Sequence, residues 1–212
     1  MRPVLFALLI AGTPLAAQNV SREEGLAAWE RIYAVASHPR CTNCHVGAQE
    51  EPMWEGLSYG RGTAHGIGVK ADESRIGAES MPCRTCHVTA AGRETPAHAP
   101  AQIDDAWRLP PVELDWLGES SAALCAQLRD PERNDGHEIT DLVDHLTSSP
   151  FVAWGFAPGG GRSTPPGSPV EMARDVALWG ARARPASNLC ALGLGGGGLQ
   201  AHRPRGSGAA FA

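Results

Sequence analysis

Beyond its first residues this chain has no long apolar run. No later segment approaches the roughly 20 apolar residues that a membrane-spanning helix needs, so no membrane span is expected. Clustered Lys and Arg are also missing. With a net charge of -5 and a pI near 5.9, the chain lacks the basic footprint of a nucleic-acid-binding protein. Alternating strand patterns and hairpin signals are absent and β-branched aliphatics are sparse, which argues against a sheet-based core. Gly (25) and Pro (17) are abundant instead, as expected for long loops around short helices. The length of 212 residues suits one compact unit, and the 42% of hydrophobic residues suffices for a thin core.

The first seventeen residues read as a secretory signal. Arg2 supplies a positive n-region, Val4 to Ala11 an apolar stretch, and Leu15-Ala16-Ala17 a small-residue cleavage site before Gln18. A periplasmic location follows as the expectation. No Cys follows the cleavage site, so nothing points to a lipid anchor. Loss of Arg2 leaves the processed chain at about -6, an acidic soluble protein.

The fold class expected for residues 18–180 is all-α, with short helices and long loops packed around two bound haems. Ser21 to Ala36 forms the first helix, opened by a Ser21/Glu24 capping box, with Leu26, Trp29, Tyr33 and Ala36 on one face. His38-Pro39 ends it. Ser121 to Arg129 is a second helix, stopped by Asp130-Pro131. His137 to Thr147 is a third, with Ile139, Leu142, Val143 and Leu146 as its apolar stripe. A last helix starts at Ser168, with Pro169 in its first position and Glu171 completing a box, and it presents Met172, Val176 and Trp179. After Gly180 the composition shifts to Arg, Pro, Gly and Ala. Residues 181–212 read as a disordered tail, with out-of-frame translation of a GC-rich gene as the alternative.

Two segments carry the chemistry. Cys41-Thr-Asn-Cys44-His45 and Cys83-Arg-Thr-Cys86-His87 both match the c-type haem attachment pattern in full. Two thiols separated by two residues lie about one helical turn apart and reach both vinyl groups of a haem, while the adjacent His projects to the iron as proximal ligand. The expected cofactor is therefore two covalent haems, with His45 and His87 proximal. Four thiolates from the two pairs would also make a structural zinc site, but such a site does not require a His after each pair. Two disulfides would leave both His residues unexplained.

Only 38 residues separate Cys44 from Cys83, too few to enclose a haem alone, so both haems should share one fold. Two porphyrins would then organise the Gly-rich stretch from Cys41 to Pro111 in place of an aliphatic core. Trp54, Trp107, Trp116 and Trp154 lie in poorly periodic segments and are either haem-packing or ordinary loop-anchoring aromatics. Candidate sixth ligands are His38, His65, His98, His137, His145, Met53, Met81 and Met172. His65 and His145 are preferred. The small neighbours in Gly60-Arg-Gly-Thr-Ala-His65-Gly-Ile-Gly let the backbone approach a haem, and His145 flanks the apolar stripe of its helix, whereas His137 falls on the solvated face. Met81 stands too close to Cys83 to reach the distal side of its own haem. Cys125 and Cys190 remain, either as a disulfide in an oxidising compartment or with Cys125 as a thiolate axial ligand.

The order Cys41-x-x-Cys44-His45, Pro52, Gly56, His65-x-x-x-Val69, Met81-x-Cys83-x-x-Cys86-His87, Trp107-x-Leu-Pro-Pro111, Cys125-x-x-Leu-x-Asp-Pro131 and His145 before Pro150-x-Val-x-Trp154 resembles small bacterial dihaem cytochromes. These are often labelled isoquinoline 1-oxidoreductase subunit. The resemblance runs from about Ala36 to Trp179, after which the sequence departs from the family's ending. It implies a periplasmic electron-transfer subunit or partner of an oxidoreductase. The chain carries no molybdopterin or iron-sulfur site, so catalysis by the chain itself is not implied. The rival expectation is a dihaem enzyme, a peroxidase or sulfur-compound oxidase, in which one haem keeps an open site.

Overall fold

The computed structural model describes residues 20–47, 51–54, 63–65, 69, 85, 87, 108–159, 162–182 and 190. The secretory signal, Cys83, Cys86, Met81, His98, Trp107 and residues 183–189 and 191–212 of the tail lie outside the described residues, and the last helix runs two residues into the segment read as tail, to Arg182. The described part is helical, apart from one two-residue ladder, in keeping with the all-α expectation.

Helix α1 (Arg22–Ala36) begins at Ser21, where the expected capping box forms. Ser21 N–H donates to Glu24 Oε2 (2.7 Å) and Glu24 N–H to Ser21 Oγ (3.1 Å). Its buried face coincides only in part with the one read from the sequence. Ala28, Trp29, Ile32, Val35 and Ala36 are buried, while Leu26 and Tyr33 sit half-buried at the margin. The reason is the partner: α1 lies against α6 (Pro169–Arg182), whose Met172, Ala173, Val176 and Trp179 fill the groove. Trp29 and Trp179 meet with ring centroids 5.2 Å apart, an aromatic pair worth about 0.5–1.5 kcal/mol beyond its buried area. Arg31 forks onto the buried Asp175, donating from Nε (2.9 Å) and Nη2 (2.7 Å).

α3 (Ser121–Arg129) forms where expected, with Ser120 Oγ accepting from Ala123 N–H at 3.2 Å, and it places Leu124, Cys125 and Leu128 in the same core. α4 (Ile139–Ser148) starts two residues later than read from the sequence. Asn134 explains the delay, because its amide donates to Leu128 O (3.0 Å) and His137 O (2.9 Å) across a turn with positive φ at Asp135 and Gly136. His137 thus precedes the helix, half-buried, rather than lying on a solvated helical face. α4 packs on α6, where Gly180 lets the helices touch: a Cβ there would stand 2.6 Å from Ile139 Cγ2.

Four short elements had no periodic signal. α5 (Pro150–Phe156) opens with Pro in its first turn, and Ser149 Oγ accepts from Val152 N–H at 3.3 Å. α2 (Pro39–Thr42) follows α1 directly, so His38-Pro39 ends one helix and starts another. Strands β1 (Met53–Trp54) and β2 (Thr63–Ala64) pair antiparallel, Met53 opposite Ala64 and Trp54 opposite Thr63. Two residues per strand are too few to show an alternating pattern.

Candidate functional site

α2 carries the first attachment motif into the fold. His38 Nδ1 accepts from Arg40 N–H at 3.1 Å, which caps the helix and gives His38 a structural task. Cys41 O then accepts from both Cys44 N–H and His45 N–H, each at 3.1 Å, so the motif is wound as one helical turn. That winding brings the two thiols onto neighbouring positions of the turn. Cys41 packs against the main core, and Cys44 against a second small cluster of Val46, Leu109 and Val112.

Cys41 keeps a little solvent exposure, but close protein on most sides pushes its thiol up to about 12. Burial is the main cause and the neighbouring Cys44 adds to it, against the opposing charge of Arg40. Among the described residues no three His, Cys, Asp or Glu side chains converge as a metal-ion site. Arg162, whose guanidinium sits 5.6 Å over the Trp154 ring, has its pKa lowered by burial and then by the charge of Arg40.

His45 is held by a loop on the far side of the sequence. Its Nδ1 lies 3.2 Å from Leu114 O, and because a carbonyl only accepts, Nδ1 carries the proton and Nε2 keeps its lone pair. The ring stacks on Trp116, with centroids 3.5 Å apart and planes within 5°. Burial, with a smaller contribution from the charge of His145, lowers its pKa to about 3 against the opposing hydrogen bond to the Leu114 carbonyl. A neutral imidazole with a lone pair on Nε2 is the form that binds iron.

His145 projects from α4 with an exposed side chain, yet partial burial, then His137, lowers its pKa against the carboxylate of Asp144. The other preferred candidate, His65, directly follows β2. Its N–H donates to Pro52 O (2.7 Å), while Met53 N–H donates to Asn43 O (2.7 Å), so the ladder hangs from the first motif. The His65 and His87 rings approach to a centroid distance of 6.1 Å with planes 29° apart. At the first motif, where two thiols and a neutral imidazole share one helical turn, the described residues have the donor chemistry that the motif implies.

The remaining candidates have other tasks or surroundings. Met172 is buried between α1 and α6, His137 Nδ1 bonds Asn134 O (2.8 Å), and Met53 belongs to β1. Cys125 is joined to Cys190, which removes it as a thiolate ligand. The sequence offered no signal for the role of Leu114, whose contribution is a backbone carbonyl. Trp116 stood among several haem-packing candidates, but nothing in its spacing pointed to His45. No helix among the described residues is long and apolar enough to cross a membrane. Against known proteins, no family model, no curated sequence and no solved structure matches this chain.

Proposed function

We propose that this chain is an exported, periplasmic electron carrier holding two covalent c-type haems, and that it serves as partner or subunit of an oxidoreductase. The observation that carries the reading is the approach of His65 to His87 at 6.1 Å, because it pairs the proximal histidine of one attachment motif with a second imidazole. The resemblance to small dihaem cytochromes points the same way. Cys41 and Cys44 would hold one haem and Cys83 and Cys86 the other, with His45 and His87 as proximal ligands and His145 and His65 as distal ones. Each haem, when bound, supplies an iron that moves between ferric and ferrous states.

The chain's own contribution is to fix ligands and exclude water. Leu114 O holds the His45 tautomer, the ladder and Pro52 O hold the backbone of His65, and the short spacing between the motifs puts both haems in one fold. With two imidazoles on each iron neither site is open, which suits a carrier rather than a catalyst. The acidic surface suits redox partners with basic docking patches.

Absorption and magnetic-resonance spectra of both oxidation states test the reading. Two low-spin haems with weak carbon monoxide binding are expected. A high-spin haem in the wild-type protein would put a peroxidase or sulfur-compound oxidase ahead of the carrier.

A further inference from the structure

The segment 114–116 grips His45 at three points. Leu114 O accepts from the ring Nδ1–H (3.2 Å), Trp116 N–H donates to the backbone carbonyl of His45 (3.0 Å), and the Trp116 indole lies flat on the imidazole at 3.5 Å. The same strip of chain is pressed against the motif one step further on, since a Cβ on Gly47 would stand 2.9 Å from Asp115 Oδ2. Trp116 is itself anchored by packing against the main helical core. Its Nε1 is buried and has no hydrogen-bond partner among the described residues, so no polar contact of the indole with them explains where it sits. A single hydrogen bond at Nδ1 still allows the imidazole to tilt, whereas a parallel ring held by its own main chain does not.

We infer that Trp116 is a positioning residue that fixes the plane of the His45 imidazole and lowers the reduction potential of the iron that His45 would bind. The inference rests on the proposed haem ligation. The face of an aromatic ring carries negative charge density and favours a cation beside it. A ferric centre and its ligands carry one more positive charge than the ferrous one, so the indole face favours the ferric state. Leucine would keep much of the burial and remove the ring face, while phenylalanine would keep both.

The test compares Trp116→Leu and Trp116→Phe in the full exported chain, after intact mass has established that each carries two haems. Trp116→Leu should raise one of the two reduction potentials, leave the other in place, and change the low-spin resonance of one haem only. Trp116→Phe should stay close to wild type in both readouts. Wild-type potentials and resonances in Trp116→Leu, or an equal shift at both haems, would overturn the inference. A wild-type independent readout is proton magnetic resonance of the reduced, diamagnetic protein, in which cross-peaks should join an indole to a ligand imidazole. Their absence would also overturn it. A wild-type protein without two haems would instead sink the underlying ligation, and the two failures are thereby distinct.

Discussion

The imidazoles of His65 and His87 lie with their centroids 6.1 Å apart, although one follows a two-residue strand and the other closes the second attachment motif. If both bind one iron, His65→Ala should open a single coordination site. That variant should show one high-spin haem that binds carbon monoxide, with the second haem unchanged. His145→Ala should do the same at the other iron. Carbon monoxide titration of the reduced variants reads both outcomes. One haem equivalent bound in each is expected, and none in either would contradict the ligand pairs.

The disulfide between Cys125 and Cys190 ties the buried face of α3 to a residue beyond the last helix. The sequence separation of 65 makes the closed loop long. Cys190→Ala should therefore lower stability by about 2–4 kcal/mol, read as a lower denaturant midpoint. A peptide map showing both cysteines as thiols in the exported protein would contradict the link.

Gly180 faces Ile139 at a distance that admits no side chain. Alanine normally favours a helix by about 0.5–1 kcal/mol over glycine. Here the stiff, branched Ile139 cannot yield cheaply, and Gly180→Ala should destabilise by about 1–3 kcal/mol. A stabilised variant in thermal unfolding would show that α4 and α6 are less closely packed.

Glu24 provides the clearest pH dependence. The Ser21 backbone N–H, and then the Ser21 hydroxyl, hold its carboxyl below the ordinary value of 4.5. A depressed folded pKa means that the contribution is present above the ordinary value and is lost as pH falls through the folded one. Amide protection in the first turn of α1 should decline as the solution is acidified through and below that range. Glu24→Gln should flatten this dependence, and an unchanged profile would contradict the capping role.

Legibility in the sequence followed range. The Ser21/Glu24 box, the start of α3, and Pro169 with Glu171 depend on neighbours within one turn, so the sequence marked them closely. At Ser168 the hydroxyl accepts from Glu171 N–H (3.3 Å) and itself donates to Glu171 Oε2 (2.8 Å), a side-chain variant of the expected box. The start of α4 was misread because Asn134, outside any periodic pattern, holds His137 in the preceding turn. The buried face of α1 was read correctly at Trp29 and Ala36 but not at Ala28, Ile32 and Val35, because α6, far along the chain, decides which residues are covered. The same division holds at the site. Both attachment motifs and the candidacy of His65 and His145 could be read from local chemistry. The stacking of Trp116 on His45, and the Leu114 carbonyl at its Nδ1, depend on a loop about seventy residues away and left no mark in spacing.

Covalent haem content tests the central claim most directly. Mass spectrometry of the exported, processed protein, after extraction with acidified acetone to remove loosely held cofactor, should give the polypeptide plus two haem groups. The mass of bare polypeptide, or of polypeptide plus zinc under native conditions, would contradict the dihaem reading and with it the ligand roles of His45, His65, His87 and His145.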